Sequence, residues 1–130
     1  LQTDRPHLLG DHFHFLCDAE PPAGPEVWEA TRFCPAPDTG QGQPRHDMLA
    51  RMIAGIMETA LIFGIERVTF TTLFRSWDAQ PLGAARRVGR DRLTAFVAAI
   101  DQRGLRRVRQ RNDITTPVTR FLGGDLTQAA

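Results

Sequence analysis

A carboxylate and a guanidinium stand three residues apart in Trp28-Glu29-Ala30-Thr31-Arg32-Phe33-Cys34. The run is aromatic and β-compatible, and a strand is expected over Glu26 to Cys34. Side chains alternate faces along a strand, so Glu29 and Thr31 point one way and Ala30 and Arg32 the other. Glu29 and Arg32 share a face only if the strand is bulged or twisted. Two charges in a segment otherwise suited to burial are costly unless they are paired or used. The residues leave two readings open, an ion pair at a strand edge and a functional site.

The elements around this run are legible in outline. Leu8 to Cys17 reads as a short helix or irregular segment packing Leu9, Phe13 and Leu16. Glu20 to Pro25 is a proline-rich loop. Pro35 to Pro44, with Gly40 and Gly42, is a long loop. The clearest helix opens at His46 or Asp47 and runs to about Phe63. Met48, Leu49, Met52, Ile53, Ile56, Met57, Ala60 and Leu61 form its apolar stripe, and Gly64 stops it. Arg67 to Thr72 is a strand by its β-branched and aromatic content. Trp77 to Val88 could supply another strand. Arg90 to Arg109 reads as a second helix that Gly104 weakens. A short β-like run follows at Pro117 to Leu122. Strand, helix, strand, then strand and helix is an α/β order, with a right-handed crossover and parallel pairing expected around the first helix.

Composition sets bounds. A chain of 130 residues is expected to form one domain with a moderate core. The net charge is +1, and all sixteen basic residues are Arg. Seven fall in two clusters: Arg86, Arg87, Arg90 and Arg92, then Arg106, Arg107 and Arg109. These could be a solvated face or a docking surface for an acidic partner. Nucleic-acid binding is not expected, for the clusters lack interleaved aromatics and no helix-turn-helix pattern is present. No apolar run reaches the roughly 20 residues of a membrane helix. Cys17 and Cys34 make neither a disulfide framework nor a metal site and read as small core residues. His12 and His14 lack a third ligand, so no metal is expected. The chain starts at Leu1 with no signal-peptide pattern, and an N-terminal part is expected to be missing.

Trp28-Glu29-x-x-Arg32-Phe33 resembles the central strand of the acyl-homoserine-lactone synthases, the autoinducer synthases of quorum sensing. Leu8-Leu9-x-x-x-Phe13, the helix ending at Gly64, the strand Arg67 to Thr72, and Trp77 followed by Leu82-Gly83 continue in family order. The likeness covers most of residues 1–122, as the C-terminal two-thirds of such a synthase. The family's N-terminal portion is unmatched. The stretch between Thr72 and Trp77 is also too short for the helix the family carries there.

The resemblance implies an α/β (α+β) fold like that of the GNAT N-acetyltransferases, a twisted mixed sheet flanked by helices. Two neighbouring strands would splay to admit a phosphopantetheine arm. It implies a cytoplasmic acyltransferase that joins an acyl group, carried by acyl-carrier protein or CoA, to the amine of S-adenosylmethionine. Lactone closure then releases methylthioadenosine, and no cofactor is required. By the same resemblance Glu29 would be the base and Arg32 would hold the site and its charged substrate. Trp28, Phe33 and Thr69 would bind substrate, with Thr69 donating to a 3-oxo group. Met52 and Met57 could line an acyl-chain pocket, against the alternative of ordinary core. Arg86, Arg87 and Arg90 would dock the acidic carrier protein. Two other readings stand beside this one. The first is a GNAT-type N-acetyltransferase using acetyl-CoA, which Thr39-Gly40-Gln41-Gly42-Gln43 weakly resembles in its phosphate loop. The second is an inactive acyl-binding remnant.

Overall fold

The computed structural model describes residues 1–34, 36–72 and 79–120. The chain forms two compact units. The first takes Leu1–Arg32 and Ile65–Ala99, and the second takes Phe33–Gly64 and the chain from Ile100.

The first unit is a mixed sheet. Its strands are β1 (Val27–Ala30), β2 (Arg67–Thr72), β3 (Gln80–Pro81), β4 (Arg86–Val88) and β5 (Asp91–Ala99). β1 pairs in parallel with β2, as the expected crossover required, and β2 pairs antiparallel with β5. β3 and β4 also lie antiparallel to β5. The register puts Glu29 beside Thr69, and Thr69 beside Val97, in one row across three strands. Neighbours in a row share a face.

That face is covered by the chain before β1. Helix α1 (Leu8–Asp11) and a 3-10 turn at His14–Leu16 bring Leu9 and Leu16 onto Ala95. Phe13, Cys17, Leu82, Val88 and Leu93 pack around this cluster. Cys17 is partly buried at the edge of this cluster, and burial pushes its thiol pKa up, with Asp18 adding to the effect. Gly83 is required here, since a Cβ on it would clash with the Leu16 carbonyl oxygen. On the opposite face Phe70 stacks on Phe96 at 5.6 Å.

Four expected elements differ. The strand over Glu26 to Cys34 is only Val27–Ala30, because Arg32 takes a left-handed backbone with φ 54° that no strand continues. Cys34 beyond it is exposed, not core. The helix expected over Arg90 to Arg109 is a strand and a shorter helix, α3 (Gln102–Arg111). Thr94, Phe96 and Val97 suit a pleated surface, and cross-strand pairing with β2 outweighs their helical spacing. The helix begins only at Asp101, whose carboxylate accepts from the Gly104 N–H at 2.6 Å and caps it. Within Trp77 to Val88 only Gln80–Pro81 and Arg86–Val88 are strands. Trp77 lies outside the described residues, as does Leu122, and no strand forms over the described part of the run at Pro117.

The second unit is built on α2 (Gln43–Ile62) and α3. Glu58 of α2 is buried at 7% exposure, and its carboxylate collects several donors. Arg109 Nη2 donates at 2.7 Å, the Val118 N–H at 3.0 and 3.1 Å, and the Thr119 N–H at 2.8 Å. Burial works to raise its pKa, yet the bonds from Arg109, Thr119 and Val118 outweigh burial and hold it below the ordinary 4.5.

A folded-state pKa below the unfolded one gives stability that is present above the unfolded value and lost as pH falls through the folded one. Acidification below about pH 4.5 should therefore destabilise this unit progressively. Denaturant titrations at pH 7 and pH 3 should show Glu58→Gln less stable than wild type at pH 7, with the gap closing at pH 3. A gap of constant size would show that Glu58 stays charged, or contributes nothing, across that range.

Candidate active site

Glu29 is 2% exposed, and a buried carboxylate needs donors. It finds them in the backbone of α1. The Leu8 N–H donates to Oε2 and the Leu9 N–H to Oε1, each at 2.9 Å. Helix α1 has no side-chain cap of its own at His7. The strand carboxylate supplies one from about twenty residues away in sequence, satisfying two otherwise orphaned donors. Thr69, fully buried, sits beside Glu29 in the row, and its hydroxyl lies 3.5 Å from the Trp28 carbonyl oxygen.

Arg32 does not complete an ion pair with Glu29. It is exposed, past the end of β1, and among the described residues it pairs with no carboxylate. Its positive φ is an uncommon backbone for a residue with a long side chain. The β1–β2 pairing ends at Ala30 and Phe70, while β2 runs on to Thr72 beside β5. Past that point Thr31 and Arg32 are no longer in the ladder.

The other sequence-predicted residues fall in several places. Trp28 is half-buried on the face of β1 opposite Glu29. Phe33, Met52 and Met57 belong to the second unit. Phe33 is 38% exposed. Met52 is half-buried on α2. Met57 is buried, and its methyl lies 3.1 Å from where a Cβ on Gly104 would stand, so it fills the space that glycine leaves on α3. Arg86 and Arg87 lie on β4, and Arg90 sits in the two-residue turn to β5. Gly89 opens that turn with φ 62°. Arg87 faces Arg92 directly across the pair, Arg86 approaches Asp18 at 4.0 Å, and Arg92 donates to the Ala85 carbonyl oxygen at 3.0 Å.

An open groove of about 560 Å³ beside α1 is lined by His7, His14, Phe15, Cys17, Asp18 and neighbouring residues, and by none of the predicted site residues. Among the described residues no three His, Cys, Asp or Glu side chains gather to hold a metal ion, and no helix is long and apolar enough to cross a membrane. The carboxylate that sequence reasoning passed over is Glu58. Its signal was an acid inside the apolar stripe of α2, which demands a buried partner.

No family model matches the chain, and no curated protein matches it in sequence. Solved structures do match. MesI, a CoA-dependent acyl-homoserine lactone synthase, superimposes with a TM-score of 0.77 at 23% identity, over 95% of this chain and 65% of its own. BjaI, another CoA-dependent synthase, gives 0.73 at 20% identity, over 89% of this chain and 57% of its own. Its structures hold MTA in one case and SAM with isopentyl-CoA in another. LasI gives 0.66 at 20% identity, over 78% of this chain and 56% of its own. The chain has the fold of the acyl-homoserine lactone synthases, as the sequence resemblance implied. It spans 65% of MesI and 57% of BjaI.

Glu29→Gln tests the cap. A glutamine offers one carbonyl oxygen, and its NH2 would confront the second amide N–H. The expected loss is about 1–3 kcal/mol, the cost of leaving one buried donor unsatisfied. It should appear as a lower midpoint in denaturant unfolding. An unchanged midpoint would mean that the Leu8 and Leu9 amides find other acceptors.

Proposed function

We propose that this chain is the central and C-terminal part of an acyl-homoserine-lactone synthase, an acyltransferase acting in the cytoplasm. Its substrates would be S-adenosylmethionine and an acyl thioester, with no cofactor. The observation that carries the reading is the fold likeness to several such synthases across most of the chain, at 78–95% coverage. The Glu29-x-x-Arg32-Phe33 motif adds support, since it spans the end of β1.

The chemistry follows from the substrates. The amine of S-adenosylmethionine must lose a proton before it attacks the thioester carbon. The thiol then leaves, and attack of the substrate carboxylate on the carbon next to the sulfonium closes the lactone and expels methylthioadenosine. Glu29 is proposed as the proton acceptor, through a water. Each of its oxygens holds one backbone N–H and keeps a further lone pair. Arg32, with a planar fork that suits a carboxylate, is proposed to hold that of S-adenosylmethionine. The stretch of β2 beyond the end of β1 is proposed to receive the phosphopantetheine arm. Thr69 is proposed to meet a 3-oxo group there, and Trp28, Phe33, Met52 and Met57 to contact the substrates.

The Arg86, Arg87 and Arg90 hairpin is proposed to dock an acidic acyl-carrier protein. A CoA thioester is the second reading for the donor, favoured by the likeness to MesI and BjaI. An N-acetyltransferase using acetyl-CoA would instead acetylate a simple amine and make no lactone. Mass spectrometry of lactones from cells expressing the gene for the whole protein separates the two. Acyl-homoserine lactones should appear, and their absence alongside acetylated product would overturn the proposal.

Glu29→Gln should lower lactone formation by about a hundredfold or more, the range for loss of a positioned base. Rates measured well below the variant's own melting temperature keep this apart from its lost stability. Full turnover at neutral pH would leave Glu29 as a helix cap alone.

Reversing Arg86 and Arg87 to Glu should raise the apparent KM for acyl-carrier protein and leave that for S-adenosylmethionine unchanged. The effect should fade as salt screens charges over about 8–10 Å. An unaltered donor KM at low salt would make the hairpin a solvated face.

A further inference from the structure

Past α3 the chain turns at Asn112-Asp113, where Asp113 takes φ 53°. Ile114, buried at 6% exposure, then anchors it, and the Ile114 N–H donates to the Arg109 carbonyl oxygen at 3.0 Å. From there the chain lies open. Thr115, Thr116, Pro117 and Arg120 are exposed, and only Val118 and Thr119 are half-buried. This stretch therefore rests on α2 with little apolar burial. Its polar contacts concentrate at one place. The Val118 and Thr119 N–H groups both donate to the Glu58 carboxylate, and the Thr119 hydroxyl donates to the Gly55 carbonyl oxygen at 3.3 Å. The stretch passes close over Gly55, where a Cβ would be in ordinary contact with Thr119 Oγ1 at 3.7 Å and Val118 Cγ1 at 3.9 Å. Arg109 holds the carboxylate from α3 at 2.7 Å and keeps it aimed at the passing backbone.

We propose that residues 117–120 form a strap over α2 that opens locally, hinged at Asn112–Ile114 and fastened by Glu58. A segment with few buried apolar contacts, tied by a small set of bonds, opens without the rest of its unit. Because one side chain accepts both backbone donors, the fastening is lost as a whole rather than bond by bond. Arg109 stays behind with Glu58, so the opened strap does not strand a buried charge. Opening lays bare the Gly55 carbonyl and the Glu58 carboxylate on α2. The proposal does not depend on the reaction the protein catalyses.

Amide hydrogen exchange on the full chain, resolved by residue, tests it. In wild type the Val118 and Thr119 amides should exchange about tenfold or more faster than those of Met57 and Ala60 inside α2. Glu58→Gln should speed Val118 and Thr119 by about a further tenfold, and Met57 and Ala60 by no more than that variant's loss of unfolding stability accounts for. Wild-type rates at Val118 and Thr119 as slow as those at Met57 and Ala60 would place the stretch in the global core and overturn the strap. No acceleration at Val118 and Thr119 would overturn Glu58 as the fastening. Where Glu58→Gln does not fold, Thr119→Pro removes both Thr119 donors, the N–H to Glu58 and the hydroxyl to Gly55, and leaves Glu58 with Arg109. It should speed Val118 alone, and an unchanged Val118 rate there also overturns the proposal.

Discussion

A charged carboxylate taken out of water must be given donors, and the first unit is arranged around meeting that demand at Glu29. Its two oxygens hold the Leu8 and Leu9 amides, so the helix that covers the sheet is tied to the strand beneath it. Leu9 then lies at 0% exposure in the cluster with Leu16 and Ala95. The negative charge also sits at the N-terminus of α1, where the backbone dipoles favour it. A residue that could serve as a base is thus held in place by the fold. Its orientation is fixed by backbone groups rather than by a mobile side-chain partner.

The second unit meets a buried carboxylate in the same way. Glu58 also gathers successive backbone N–H groups, from Val118 and Thr119, and adds Arg109. The two cases differ in what the carboxylate ties down. At Glu29 it is a helix that also buries Leu9. At Glu58 it is an extended stretch with most of its side chains in solvent. Similar bonds therefore secure a core element in one unit and a lightly packed segment in the other.

The end of β1 is set by the backbone. Pairing holds from Val27 with Arg67 to Ala30 with Phe70, and Arg32 then turns into a left-handed conformation. β2 continues because β5 pairs with it along its whole length. One strand stops while its neighbour is held from the other side, so β2 runs on past the Glu29-x-x-Arg32 motif without β1 beside it. The charged hairpin of β4 and β5 exposes Arg86, Arg87, Arg90 and Arg92 on the same unit. Arg87 and Arg92 face one another as like charges, an arrangement that favours an anion nearby.

The sequence by itself determined the element types wherever periodicity and punctuation agreed. The stripe from Met48 to Leu61 with Gly64 behind it gave α2, the β-rich Arg67 to Thr72 gave β2, and the helix between two strands gave their parallel pairing. The motif at Glu29 and the order of elements around it carried the resemblance that the fold bears out. Tertiary structure decided the rest. Asp91–Ala99 shows helical spacing in isolation and is a strand because β2 supplies its partner. Met52 and Met57 share a stripe in sequence, but only packing on α3 makes Met57 a space-filler at Gly104. Glu29 and Arg32 sit three residues apart, yet the end of β1 sends one into the interior and the other into solvent. The donors for Glu29 lie about twenty residues upstream and those for Glu58 about sixty downstream, contacts that no local pattern encodes because chain folding alone brings those backbone groups within reach.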